Sequence, residues 1–484
     1  MASSSSSGKN RAVVEYVDVG RGGAGGLGFC GAKTVARIVG EVAPGFEPVS
    51  DVFRKHFVQG LEEHAQVFAY VKGKLVVSLV GSLERVAEMP KPGSGKLSDI
   101  LLNEQAYDAS SIQNVFSSGK AMASVAMAML VDRGRVKYET LLTDFWPEYG
   151  QHGKEGTTLA MVLRHEAGLR NLRRKVPLEE LYPENIKRSG GLSKIIEESK
   201  PAHVPGEKRA YHAVTRGWIL NEICKRVDEK GRTLGEFVRE EIARPLGIDN
   251  ELYVGLPLAA APKCFDIKES PTGFVWRHLF LPKFLGGKIR AFFLWRMLLV
   301  VAFGPMKILE KLGVTSLASS NPFTLPEDFS KTLPTGFDVY NHPSVRRAEI
   351  PSANTNASAR ALGMVAAAVA NGGVAPNGYR LLSENAIGEM HANPVVKRLM
   401  LSKATFVNAG VNHFKLPHGI ENRGGYYGWM GMGGSCMQWQ LEHGIGFGYA
   451  MSLASVSPLN PRSKRLQLSV LECAKSGGNV SAKL

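Results

Sequence analysis

Cysteine is scarce in this 484-residue chain: Cys30, Cys224, Cys264, Cys436 and Cys473 are odd in number and far apart, with no C-x-x-C. That spacing excludes a disulfide framework and a finger-type zinc site, and it fits a reducing compartment. No uninterrupted apolar run reaches membrane length. Residues 291–303 are apolar apart from Arg296, but the stretch is only 13 residues long and stops at Gly304-Pro305, too short to cross a bilayer. Acid is in deficit, with 44 Asp and Glu against 59 Lys and Arg, a formal net charge of +15. Such a balance favours acidic partners, anionic substrates or a membrane surface. Neither zinc-finger spacing nor an aromatic-basic stripe is present, so nucleic acid is not indicated and the excess reads as solvated surface. The serine-rich Met1–Asn10 segment has no apolar core, which excludes a secretory signal, and Glu15 and Asp18 argue against a transit peptide.

What is present centres on Val115-Phe-Ser-Ser-Gly-Lys120 and the helical apolar pattern behind it: Ala121, Met122, Val125, Ala126, Met129 and Leu130, ended by Arg133-Gly134. Ser117 and Lys120 form an S-x-x-K. Residues three apart share a helix face, so the two heads can meet. A hydroxyl is a weak nucleophile until a base takes its proton. A lysine sunk in an apolar helix can be that base, because burial disfavours its charged form. The alternative from spacing alone is a capping serine beside a solvated lysine.

Residues 1–41, with glycine-rich 20–28, read as a flexible leader, 42–475 as the folded domain and 476–484 as a tail. Residues 51–64 read as a helix, and Val67 to Leu79 as a hairpin around Lys72-Gly73-Lys74. Thr158 to Gly168, Val214 to Val227 and Ala353 to Asn371 read as helices. Two strands, Ser435 to Gln440 and Ile445 to Ser452, meet at a tight turn. Residues 255–345 read as an insertion. Within it, residues 281–311 carry six basic residues and one acid, which suits a lid over the pocket or, alternatively, an interfacial helix. The chain closes on Ala482-Lys483-Leu484, similar to the Ser-Lys-Leu peroxisomal address, so a peroxisomal or cytoplasmic rather than secreted location is expected.

Three separated stretches then align: Ser117-Ser-Gly-Lys120, Tyr211-His-Ala213 after Pro205-Gly-Glu207, and Trp429-Met-Gly-Met-Gly-Gly-Ser435. With Ala128-Met-Leu-Val-Asp-Arg-Gly134, His165-Glu-Ala-Gly-Leu169 and Ile350-Pro-Ser-Ala-Asn354, their order resembles the serine β-lactamase/penicillin-binding-protein-like superfamily. The resemblance is to its class C β-lactamase-related branch, and most of all to family VIII carboxylesterases. It spans about Gly45 to Ser455 apart from the insertion. It implies an α+β β-lactamase/transpeptidase-like fold, with an antiparallel sheet flanked by helices and a helical subdomain carrying Tyr211. By the same resemblance Ser117 is the acylated nucleophile, Lys120 helps take its proton, and Tyr211 shares the base and acid work, its phenolate favoured by the lysine charge. The oxyanion hole would use the N–H groups of Ser117 and of Met432, on the strand just past Gly431, with Gly431 and Gly433 allowing close approach.

Two departures narrow the chemistry. Where β-lactamases carry Lys-Thr-Gly, this chain has Trp429-Met430-Gly431, an apolar wall, and the asparagine of Tyr-x-Asn is Ala213. Both losses point away from β-lactams and towards uncharged esters. His165 reads as packing, His212 as a neighbour that either tunes Tyr211 or points away, and His443 as a turn residue. No metal cluster appears and no cofactor is implied. The resulting expectation is a serine hydrolase cleaving small carboxylic esters through an acyl-serine intermediate. The alternatives are a membrane-associated or self-assembling scaffold of the same fold, or a transesterase or peptidase. A peripheral membrane contact stays open through residues 281–311, and oligomeric state is not legible.

Overall fold

The computed structural model describes residues 10–19, 33–86, 106–188, 190–269, 322–324, 337–399, 402–414, 424–454 and 462–477. Its frame is a ten-stranded antiparallel sheet. In chain order the strands are β1 (Arg11–Asp18), β2 (Lys33–Val42), β3 (His64–Val71), β4 (Lys74–Val86), then β10 (Val395–Leu399), β11 (Ser402–Phe406), β12 (Asn412–His413), β13 (Tyr427–Met430), β14 (Cys436–Gln440) and β15 (Ile445–Met451). Their spatial order is β1-β2-β4-β3-β15-β14-β13-β12-β11-β10, so β15 pairs with β3 and zips the two ends of the chain together. Four short strands, β5 (Ile112–Asn114), β6 (Leu252–Val254), β7 (Cys264–Phe265) and β9 (Thr355–Ala357), form a second sheet. A parallel pair joins β8 (Lys268–Glu269) to β16 (Leu453–Ala454).

Helices cover the large sheet. Helix α1 (Glu47–Val58) packs with the C-terminal helix α6 (Arg462–Lys475), and Phe53, Phe57, Leu466 and Val470 are buried with Val67, Leu79 and Phe447 in one core cluster. Against β15 lies the alanine-rich helix α5 (Ala359–Ala370). Its small side chains have a physical cause: a Cβ added to Gly448 would sit 2.1 Å from the Ala359 carbonyl oxygen, and one on Gly446 2.3 Å from the Ala367 nitrogen. Only glycine strands let a helix backbone come so near.

The second core is helical. Helix α2 (Gly119–Asp132) is buried at every position up to Val131, the signature of a helix apolar all round. It packs against α4 (Thr215–Val227), which itself meets the short α3 (Leu159–Leu163). Fully burying side chains such as Val125, Met127 and Leu130 stabilises the fold by roughly 1.5–3 kcal/mol each. The start of α2 lies where the two cores meet, with Phe116 in the first and Val115 and Ala121 in the second.

Several boundaries differ from the sequence reading. The segment 1–41 is not all leader: Val35, Ala36 and Ile38 are fully buried in β2, and β1 pairs along its whole length with β2. The β-branched Thr34, Val35, Ile38, Val39 and Val42 carried that signal. Helix α1 starts four residues early, where Pro48 favours a first turn, and ends at Gln59-Gly60. Before α5 the chain makes strand β9 and then a Ser358 cap, whose hydroxyl accepts from the Ala361 N–H, so the helix begins at Ala359 and not Ala353. The helix expected to run to Gly168 ends at Leu163, because His165 turns the backbone left-handed at φ 64°. Residues 20–28, 281–311 and 482–484 lie outside the described residues. Among the described residues no helix is long and apolar enough to cross a membrane.

Candidate active site

Ser117 sits in a 3-10 turn, Phe116–Ser118, that runs directly into α2. Phe116 holds φ 45°, sparsely populated for a bulky residue, and its N–H donates to Asn114 Oδ1 at 2.7 Å. Its ring meets Phe337 and Tyr340 edge-on, at 5.3 and 5.4 Å between centroids. This clamp aims the backbone so that Ser117 projects from the turn. On the opposite side, Ser435 Oγ donates to the Val115 carbonyl at 2.7 Å and lies 3.1 Å from Ser118 Oγ, tying the turn to the end of the Trp429 loop.

The structure brings Ser117, Lys120 and Tyr211 to one point. Ser117 Oγ lies 2.7 Å from the Tyr211 hydroxyl and 3.0 Å from Lys120 Nζ. Lys120 is fully buried and also donates to the carbonyls of Ala213 and Ser352, each at 2.7 Å. Two fixed carbonyls decide what the amine can do. As ammonium, its three hydrogens match the two carbonyls and Ser117 Oγ. As a neutral amine, its two hydrogens stay on the carbonyls and its lone pair is left facing Ser117. Burial first, and then the Arg216 charge, hold Lys120 well below its ordinary range, which favours the amine.

Tyr211 behaves differently from the sequence expectation. Burial pushes its phenol up, while the hydrogen bond to Ser117 and the Arg216 charge pull the other way. Lys120 Nζ lies 5.0 Å from the centre of its ring, but burial is the largest influence on the phenol. The neutral phenol is the form at hand, a donor. His165 lies beneath it, 5.1 Å ring to ring, and accepts the His212 N–H on Nδ1 at 3.0 Å, which puts its own hydrogen on Nε2. His165 is thus a neutral post that fixes the Tyr211-His212 backbone, held far below its usual value by burial and then by Arg216. His212 turns away: its Nδ1 faces the Ala210 carbonyl at 2.5 Å, and burial lowers it to about 4.

Trp429 closes one wall from β13, donating its indole N–H to the Gly410 carbonyl at 2.9 Å and packing 5.3 Å from His165 and 5.4 Å from Phe406. Met432 is not on the strand, which ends at Met430; it occupies the turn Gly431–Gly434, where Gly431 N–H donates to the Ser435 carbonyl at 2.9 Å. A Cβ on Gly431 would lie 2.2 Å from the Val115 oxygen, so the turn can approach the serine backbone only with glycine there. The Ser117 and Met432 N–H groups are engaged by no acceptor among the described residues.

Sequence reasoning missed Arg216, Phe116 and Arg462. Arg216 is fully buried on α4, and Arg462 donates to the Gly433 carbonyl at 2.5 Å from the first turn of α6. A signal for Arg216 existed: it lies in register with Ile219, Leu220 and Ile223, on the stripe of α4 that had to be buried. Among the described residues no group of three or more metal-capable side chains occurs.

A serine whose oxygen is shared by a buried amine and a phenol, near two unengaged N–H groups, can be acylated. The chain is similar to several known proteins. A family model described as Beta-lactamase matches residues 53–472. Esterase/beta-lactamase LipL of Mycobacterium tuberculosis is 29% identical over 354 residues, covering 70% of this chain and 69% of LipL. A crystal structure of a family VIII carboxylesterase superposes with TM-score 0.67 at 24% identity, covering 90% of this chain and 99% of that one. A penicillin-binding protein homolog from Caulobacter crescentus gives 0.64 at 26% identity, with the same coverage.

Proposed function

The chain belongs to the beta-lactamase family, as a serine hydrolase of the β-lactamase/transpeptidase-like fold, and on that premise we propose that it cleaves uncharged carboxylic esters through an acyl-Ser117 intermediate. The observation that carries this reading is the position of Ser117 Oγ, 3.0 Å from Lys120 Nζ and 2.7 Å from the Tyr211 hydroxyl.

In acylation the Lys120 amine takes the Ser117 proton as Oγ bonds to the ester carbonyl carbon. The carbonyl π pair moves onto oxygen, where the Ser117 and Met432 N–H groups receive it. When the intermediate collapses, the bond to the alkoxide breaks and Tyr211 gives the leaving oxygen its proton. The Lys120 ammonium then gives its extra proton to the Tyr211 phenolate, so both groups end acylation neutral. In deacylation a water replaces the alcohol, loses its proton to the same pair, and releases the acid with Ser117 restored. An apolar wall at Trp429 supplies no cation for a substrate carboxylate, which supports esters without one. The name of LipL covers esters as well as β-lactams, and that of the family VIII carboxylesterase covers esters, which supports ester chemistry.

The test compares p-nitrophenyl esters of graded acyl length with a chromogenic cephalosporin. Turnover of the esters far above that of the β-lactam is expected, and Ser117→Ala should lose at least about 10³-fold of it without altering the melting temperature. Undiminished turnover in Ser117→Ala would remove Ser117 from the reaction.

A further inference from the structure

Arg216 is a fully buried guanidinium without an ion-pair partner among the described residues. Its Nε donates to the Leu163 carbonyl at 3.0 Å, Nη1 to the Lys120 carbonyl at 3.3 Å and Nη2 to Ser124 Oγ at 2.7 Å. Buried charges are normally paired, because desolvation is costly and hydrogen bonds to neutral groups offset it only in part. Here three neutral acceptors on α2 and α3 fix the guanidinium behind the lysine that faces Ser117.

The groups around it leave that charge uncancelled. On α2 these are Lys120 and Ser124; before α4, Tyr211 and His212; after α3, His165. The nearby Glu166 is already taken by Arg209 at 2.8 Å and Lys397 at 3.2 Å. We propose that Arg216 is the fixed cation that adds to the bias of Lys120 towards its amine form, and so lowers the pH at which Ser117 becomes a nucleophile. Arg216 hydrogen-bonds to neither Ser117 nor Tyr211, so it is a positioning residue acting through Lys120, and the inference rests on the base role given to Lys120 above. Its direction is consistent across the site: the same charge opposes protonation of Lys120, His165 and His212 and favours the ionised form of Tyr211. Burial is the larger influence on Lys120, so loss of Arg216 should weaken the bias and not abolish it.

The experiment reads Lys120 directly. Its Nζ is titrated by 15N NMR in the wild type and in Arg216→Gln, Arg216→Met and Arg216→Lys. In parallel, the rate of Ser117 labelling by an uncharged fluorophosphonate is followed against pH. The neutral variants should raise the Lys120 midpoint by about one to three units, as expected for removing a nearby like charge, and move the acid limb of labelling up with it. Arg216→Lys keeps the charge but not the hydrogen-bond fork, and should stay near the wild-type midpoint. A purely structural role predicts the reverse, with the lysine variant behaving like the glutamine one. An unchanged midpoint in whichever neutral variant folds would overturn the proposal. So would a wild-type Lys120 that titrates at its ordinary value, whatever the variants do. If Ser117 is labelled at no pH, the ester-hydrolase reading fails while the NMR titration still decides the role of Arg216.

Discussion

Arg462 and Arg216 lie about equally deep in the protein, each in the first turn of a helix, where the dipole disfavours a cation. Their surroundings differ. Arg462 meets the buried Glu62 carboxylate at 2.7 Å, the Leu61 carbonyl at 2.8 Å and the Gly433 carbonyl, while Tyr449 donates to the other oxygen of Glu62. Burial opposes the Arg462 charge, but Glu62 and Tyr449 outweigh it and its pKa is raised. Arg216 has only carbonyls and a hydroxyl, and burial lowers it to about 9. The paired arginine holds the Gly431–Gly434 turn to the last helix, so its work is structural. The unpaired one leaves its field in the site. Burying a charge with its counter-ion makes a joint; burying one without makes an electrostatic bias.

The largest effect should come from breaking the joint. Arg462→Met leaves Glu62 buried without its counter-ion and frees the Gly433 carbonyl beside Met432, and should cost about 3–5 kcal/mol of stability in denaturant melts. A loss below about 1 kcal/mol would mean that Glu62 is already neutral. By contrast Lys120→Met removes a desolvated amine and leaves a hydrophobe. It takes the donor from the Ala213 and Ser352 carbonyls, so stability should fall by about 1–3 kcal/mol while kcat/KM drops by about 10²–10⁴-fold.

These two sites also mark what could be read from the chain. The hairpin of β3 and β4, the Ser117 helix and the β14–β15 pair are local patterns of period two or 3.6, and they appear where the spacing put them. Ser117, Lys120 and Tyr211 were legible because the resemblance carried them as motifs, and Lys120 also by its place on a buried helix. Arg462 acts on Gly433 across 29 positions and Arg216 on Lys120 across 96, and no periodicity reports such distant pairs. Strand β2 was missed because a glycine-rich neighbour made its whole segment look like a leader. Met432 was placed on a strand because the positive φ of Gly433, 87°, which turns the chain there, leaves only a glycine in the sequence.

Both regions keep a histidine neutral, and this sharpens the comparison with pH. His56, near Arg462, is lowered to about 3, by burial first and Arg462 next; His212, near Arg216, is lowered to about 4. A folded-state value below the ordinary 6.5 contributes stability that is full above pH 6.5 and is lost as pH falls through the folded value. Unfolding should therefore take up protons between pH 6.5 and 4, and the melting temperature should fall over that range. In His212→Asn, whose amide can still donate to the Ala210 carbonyl, the fall should be shallower by roughly 3 kcal/mol at pH 4. An equal slope in both proteins would show that His212 is protonated in the fold. The smallest effect is Ser435→Ala, which removes the donor to the Val115 carbonyl. It should cost about 1 kcal/mol, since Ser118 N–H still serves that oxygen at 3.1 Å.

The most direct measurement is intact-mass spectrometry after incubation with an uncharged fluorophosphonate ester, with peptide mapping of the product. One adduct per chain, on Ser117 and strongly slowed in Lys120→Met, is the predicted result. An adduct on another residue, or labelling of Ser117 at equal rates with and without the lysine amine, would contradict the account.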